Sequence, residues 1–183
     1  LDDTLIVGST ALLTDHTVTP GPGDAWINPS TEKISVYTTG AYPPTAANSF
    51  AYNDVATVTD VTVTTNGKVG NASSVIQFGS CRLDGSLNGY CAVLIGAGST
   101  YNLKITEGTP SYLGGSTTCT GFSINTYYDV QLVISGTTIT SIVYEEGSEL
   151  CRKENTGEST FASGKPGMVI YSTAPRVTSI TAE

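Results

Sequence analysis

Basic residues are scarce in this chain: eight Lys and Arg stand against 16 acidic residues in a length of 183, giving a formal charge of −8. A phosphate track needs clustered Lys and Arg, so nucleic acid is excluded as a partner. Long apolar runs are missing as well. None approaches the roughly 18 to 20 residues that span a bilayer, and no basic stretch could serve as an electrostatic anchor, so no membrane insertion is expected. Histidine is reduced to His16. A Ser-His-Asp hydrolase would have to use it, yet the Gly-x-Ser-x-Gly elbow is absent and Asp15 is merely its sequence neighbour. The ordinary reading of His16 is a polar residue in a Thr-rich loop. No Glu-x-Asp-x-Glu run offers the paired carboxylates of a retaining glycosidase. Glu145, Glu146 and Glu149 straddle the Gly147-Ser148 turn, as a solvated hairpin tip does. Neither Gly21-Pro22-Gly23 nor Gly96-Ala97-Gly98 leads into a helix that would cradle a phosphate. Asp54, Asp60, Asp84 and Asp129 are scattered, and no DxDxDG-like loop is present. No catalytic residue, metal ligand or cofactor is expected; calcium assembled from separate loops is the one metal that related architectures leave open.

What the chain does have is hydroxyl: 29 Thr and 19 Ser make up about a quarter of it. Period-two alternation dominates and no 3.6-residue pattern competes, so the fold class is all-β. The clearest strands are Asp60 to Thr65 and Tyr127 to Ile134, followed by Tyr101 to Thr106 and by Thr137 to Tyr144, which pairs back across Ser135-Gly136. Weaker ones are Thr4 to Val7, Ile34 to Thr38, Ser49 to Tyr52, Gly167 to Tyr171 and Val177 to Ala182. With Ser74 to Leu83 and Gly89 to Ile95 this makes about eleven. Turns are expected at Asn66-Gly67, Asn88-Gly89, Gly96 to Gly98, Gly114-Gly115, Gly147-Ser148 and Gly164 to Gly167. Two Pro-rich stretches, Pro20-Gly21-Pro22-Gly23 and Tyr42-Pro43-Pro44, read as rim loops. No composition shift marks a linker, and no repeat of fixed period emerges. One domain over 1–183 is expected, a two-sheet antiparallel jelly-roll sandwich with inward faces meeting and hydroxyl-rich faces left wet.

Cysteine is few but even in number. No pair has zinc-knuckle spacing and His16 is far from all four, so disulfides are expected rather than metal ligands. Cys81 and Cys91 sit symmetrically about Ser86, facing each other across a hairpin with Asp84 to Asn88 as its turn. Cys119 and Cys151 then pair by elimination. Disulfides favour an oxidising setting outside the cytoplasm. Asn71-Ala72-Ser73 is the only glycosylation sequon, which matters if the producing cell modifies such sites. The first residue is Leu1 rather than Met, so the chain is either processed or incomplete at its start.

The order of features resembles the concanavalin A-like, laminin-G-like jelly rolls, especially secreted and phage-type members. Arg82, Gly89-Tyr90 and Tyr101-Asn102-Leu103-Lys104-Ile105 are similar to three successive strands of that superfamily. Tyr128 to Ile139, joined at Gly136, resembles its paired strands. Gly164-Lys165-Pro166-Gly167-Met168-Val169-Ile170-Tyr171 resembles its late Gly-rich turn and strand, and Val177 to Ala182 its closing strand. Leu12-Leu13-Thr14-Asp15-His16-Thr17 through Trp26 is similar to the opening of phage-type versions. Glu146-Gly147 stands where the family often has Asp-Gly, and both disulfides are additions to its pattern. The fold hosts glycosidases, lectins, adhesion modules and virion proteins alike, so it does not choose among them.

Carbohydrate binding fits the residue types, because aromatic faces stack on sugar rings while Asn, Asp and Thr bond their hydroxyls. Trp26, Tyr37, Tyr42 and Tyr52 are the candidate ligand-binding residues. The alternative for them is core packing. The reading favoured from sequence is a non-enzymatic extracellular structural or attachment domain, on a virion or cell surface. Its partners are then copies of itself or surface neighbours, together with glycans, and it is open to oligomerisation. The alternative is a secreted carbohydrate-binding module or degenerate glycosidase.

Overall fold

The structure, a computed structural model, describes residues 1–5, 11–12, 26–28, 30, 34–37, 39–43, 48–54, 57–70, 75–97, 100–107, 111–171 and 175–183. His16, Asn71, the 20–23 loop and most of the stretch from Leu12 to Trp26 lie outside the described residues.

The described residues form sixteen strands, five more than the alternation predicts. In chain order they are β1 Asp2–Thr4, β2 Ala11–Leu12, β3 Trp26–Ile27, β4 Ser35–Tyr37, β5 Gly40–Tyr42, β6 Asn48–Asn53, β7 Val61–Lys68, β8 Val75–Leu83, β9 Gly89–Ala97, β10 Thr100–Glu107, β11 Ser111–Cys119, β12 Tyr127–Ser135, β13 Thr138–Glu145, β14 Ser148–Asn155, β15 Lys165–Tyr171 and β16 Arg176–Ala182. One sheet runs β14-β13-β12-β7-β16-β5-β4-β2, with β1 also on β16, and the other runs β11-β10-β9-β8-β15-β6-β3. All pairings are antiparallel, so this is the expected two-sheet jelly roll. No helix among the described residues is long and apolar enough to cross a membrane.

Alternation places the core. On β7, Val61, Val63 and Thr65 are buried while Thr62, Thr64 and Asn66 stay half-exposed, and on β12 Tyr128, Val130, Leu132 and Ile134 meet them. Ser80 of β8 crosses between the sheets, its hydroxyl within 2.8 Å of Thr65 Oγ1 and donating at 2.6 Å to the Val130 carbonyl. That bond fixes which side of β8 faces inward: Phe78, Ser80 and Arg82 do, and Cys81 and Leu83 face away. A wet outer face is therefore found over β7 and β12 of the nine-stranded sheet. The outer face of the seven-stranded sheet carries a second apolar cluster, Phe50, Tyr52, Ile76, Cys81, Leu83, Cys91, Val93, Ile95 and Val169, all buried.

Three expected turns are strand. Gly67 lies inside β7, where an added Cβ would come within 2.9 Å of the Arg176 carbonyl and 3.0 Å of the Phe78 ring, so this glycine permits a close approach rather than a reversal. Gly114 and Gly115 lie in β11, in an irregular stretch opposite Lys104 where the ladder jumps from Leu103↔Thr117 to Ile105↔Leu113. Lys165 to Tyr171 is β15, entered through the Val58–Gly164 bridge. The β1 strand ends at Thr4, where a strand over 4–7 was expected, and residues 6 and 7 lie outside the described residues. Both disulfides form as read. Cys81 and Cys91 are direct cross-strand partners with Cα atoms 4.1 Å apart, and Cys119–Cys151 ties β11 to β14, joining the two sheets at one edge.

Candidate functional site

The four aromatic residues singled out by the sequence do not come together as one exposed surface. Trp26 is 1% exposed, and its indole N–H donates to Asp3 Oδ2 at 2.7 Å. Tyr52 is 8% exposed and belongs to the outer apolar cluster of the seven-stranded sheet. Tyr42 lies in the other sheet on β5, half-buried, with the Arg176 guanidinium 3.6 Å from its ring centroid. Tyr37 lies on β4 beside it in that sheet, and its side chain lies outside the described part.

The structure offers a cavity instead, of about 260 Å³, at one end of the sandwich. Its walls come from separate segments: Thr59 and Asp60 just before β7, Arg82 near the end of β8, Tyr90 at the start of β9, Ile134 and Ile139 around the β12–β13 turn, and Glu158, Ser159 and Phe161 from the stretch between β14 and β15. That stretch is held by several contacts. Glu158 N donates to the Thr137 carbonyl at 3.0 Å, and Gly164 exchanges two backbone hydrogen bonds with Val58 at 2.8 and 3.0 Å. Phe161 N donates to the Tyr90 hydroxyl at 3.3 Å, and the Phe161 ring meets Tyr90 edge-on with centroids 5.4 Å apart.

Arg82 is the pin. It is 2% exposed, donates from Nη1 to the Thr59 carbonyl and from Nη2 to the Phe161 carbonyl, and lies 5.7 Å from the Tyr90 ring centroid. Burial pulls its pKa below the usual arginine value, while Tyr90 and Asp60 act the other way. Its Nε has no hydrogen-bond partner, which leaves one donor unmatched at the cavity wall. A carboxylate from each side completes the chemistry. Asp60 Oδ1 accepts from Gly136 N at 2.9 Å, and Glu158 Oε1 accepts from Asn155 Nδ2 at 2.6 Å, so each retains a second oxygen free to accept. The result is an apolar and aromatic wall beside hydroxyls, acceptors and one cation. Such a lining suits a small polyhydroxylated ring.

Calcium finds no comparable nest among the described residues. The four scattered aspartates each serve another local contact: Asp54 pairs with Lys165, Asp60 takes Gly136 N, Asp84 organises its own turn and Asp129 accepts from Asn66 Nδ2 at 2.8 Å. No group of three His, Cys, Asp or Glu gathers there.

The two-sheet jelly-roll fold is similar to that of several solved domains. It aligns with the carbohydrate binding module CBM66 from Bacillus subtilis at a TM-score of 0.62 and 16% identity, covering 86% of this chain and 94% of that one. The VIP36 exoplasmic/lumenal domain, in its Ca2+/Man3GlcNAc-bound form, gives 0.61 at 10% identity over 94% of this chain and 87% of its own. A native heptameric SAP-like pentraxin from Limulus polyphemus gives 0.53 at 17% identity over 78% and 72%. At these identities the likeness is one of fold. No protein-family model matches the chain, and no curated protein does.

Sequence reasoning passed over the cavity because its residues come from distant segments. One signal was present: in the alternation of β8, Arg82 falls on the same side as Phe78, so a lone arginine is placed on an inward face.

Proposed function

We propose that this domain is a non-enzymatic glycan-binding module acting outside the cytosol, with its sugar site in the end cavity. The carrying observation is the cavity lining: Phe161 and Tyr90 supply an aromatic wall, and Asp60 and Glu158 supply acceptors for sugar hydroxyls. Arg82 acts here as a positioning residue, holding Phe161 and Thr59 in place. The two disulfides support an oxidising compartment, and the similarity to a carbohydrate binding module and to a Man3GlcNAc-bound domain supports the class of ligand. A place on a virion or cell surface is the further step of this reading. Symmetry-related copies on particles, seen by electron microscopy, would support that step; a freely secreted monomer would not.

The binding site is tested by affinity gel electrophoresis against a panel of neutral polysaccharides. The wild type is expected to be retarded by at least one of them without releasing reducing ends. Phe161→Ala and Glu158→Gln are expected to weaken that retardation about tenfold or more, roughly 1.4 kcal/mol. Full retention in both variants would remove the cavity from the reading. Loss in Tyr42→Ala alone would move the site to the N-terminal aromatics.

A further inference from the structure

The outer face of the seven-stranded sheet changes character across its width. Over β8, β9 and β15 it is buried and apolar, with Cys81, Val93 and Val169. Toward the β11 edge it becomes polar and more open: Asn102 and Lys104 of β10 and Tyr112 and Thr118 of β11 lie on this side, since their neighbours Leu103, Ile105 and Leu113 pack inward, while Thr106 on the same side is buried. Tyr112 is 44% exposed, one of three large hydrophobic residues so placed among the described ones. The Lys104 ammonium lies 3.9 Å from the centroid of its ring.

We propose that Lys104 and Tyr112 form a second binding surface, one that takes the carboxylate of an acidic sugar. This rests on the glycan-binding reading and adds a ligand class the cavity does not suit, because Asp60 and Glu158 line the cavity and repel anions. Cations are few in this chain, and several are committed: Arg82 is buried, Arg152 pairs with Glu149, and Lys165 pairs with Asp54. Lys104 has no carboxylate partner among the described residues and is held instead against an aromatic ring. An ammonium beside an exposed ring presents a charge for a carboxylate and an apolar surface for the sugar's C–H groups in one place.

Among the described residues, little bulk stands opposite Lys104. Opposite Lys104 the irregular stretch of β11 consists of Gly114, Gly115 and Ser116, and a Cβ built on Gly115 would meet nothing within 4 Å. Asn102 and Thr118, joined by a 3.3 Å side-chain hydrogen bond, add polar groups on the same side for ring hydroxyls. The overall charge of −8 opposes long polyanions, so the fitting ligand is a short glycan with a single acidic residue, whose repulsion is screened within about 8 Å at physiological salt.

Titration calorimetry with 3′-sialyllactose and with lactose tests this. Sialyllactose is expected to bind and lactose to bind at least tenfold more weakly; Lys104→Gln and Tyr112→Ala each lose tenfold or more for sialyllactose, and affinity falls as salt rises. Both side chains are at the surface, and unchanged unfolding temperatures in the variants show that the fold is intact. Phe161→Ala keeps its sialyllactose binding while losing neutral polysaccharide. Equal affinity for the two sugars, or sialyllactose binding unaltered in Lys104→Gln, overturns the proposal while leaving the cavity untouched. Loss of sialyllactose binding in Phe161→Ala alone also overturns it and assigns that ligand to the cavity.

Discussion

Asp84 shows how one side chain can shape a loop beside the cavity strands. Its Oδ1 accepts from Ser86 N and from Asn88 N, both at 2.8 Å, while its own N–H donates to the Asn88 carbonyl at 2.7 Å. The five residues between β8 and β9 are thereby closed on themselves, with Leu87 at φ 64° and Gly89 at φ 153° completing the reversal. An alanine at Gly89 would press its Cβ to 1.9 Å from the Arg82 carbonyl, which is why glycine starts β9. Burial pushes the Asp84 carboxyl up, but the N–H groups of Asn88 and Ser86 together outweigh it and hold the carboxyl below the usual carboxylate range. A folded-state value below the unfolded one, about 3.9, means that the charge stabilises fully above that pH and that the contribution fades as pH falls through the folded value. Asp84→Asn should therefore unfold at lower urea than wild type at pH 6, with the gap between them closing toward pH 2. A gap that stays constant across that range would show that the charge does not carry the effect.

At the scale of elements, β11 and β14 are the two edge strands that meet where the sheets close, and Cys119–Cys151 is the covalent tie between them. The chain-entropy relation gives about 3 to 4 kcal/mol for closing its loop and about 3 kcal/mol for the shorter Cys81–Cys91 loop. Replacing Cys119 and Cys151 together by Ser should lower the unfolding free energy, read from guanidinium titration, by that order, and more than replacing Cys81 and Cys91 does. A Cys119/Cys151 variant as stable as wild type would show that edge packing alone holds the closure. These same edges mark where the sequence was hard to read. Period two appears only where one face is buried, and it was plain in β7 and β12, where buried and half-exposed residues alternate. In β14 the pattern Ser148-Glu149-Leu150-Cys151-Arg152-Lys153-Glu154-Asn155 buries Cys151 alone, so no alternation survives to be seen. In β11 the Gly114-Gly115 pair imitates a turn while the strand runs on through it. The β8–β9 hairpin was legible because Cys81 and Cys91 are true register partners, and the β12–β13 hairpin because Gly136 supplies φ 57° beside Ser135. The cavity was not legible, since its chemistry depends on register between strands far apart in the chain: Asp60 against Gly136, and Arg82 against Phe161.

The molecule as a whole is layered unevenly, and that governs where it should open. The seven-stranded sheet is apolar on both faces over its middle strands: β9 is buried from Gly89 to Gly96, and β15 from Pro166 to Ile170. In the nine-stranded sheet β7 and β12 bury one face and leave the other half-exposed, with Thr62 and Thr64 of β7 on that open side. Backbone amides exchange through local opening, whose free energy rises toward the global value where apolar contacts bury the ladder on both sides. Hydrogen exchange should therefore be slowest in β8, β9 and β15, intermediate in β7 and β12, and fastest in β11 and β14. The cavity strands then divide: Tyr90 sits on the slowest element, while Glu158 and Phe161 sit on a segment tethered by Arg82, Tyr90 and a few backbone bonds. A bound sugar spanning both should slow exchange in residues 157 to 163 and leave β9 unchanged, because β9 has little opening left to suppress. Uniform exchange across the two sheets would contradict the double-faced core, and a ligand that protects β9 in preference to 157–163 would show that the cavity is not where it binds.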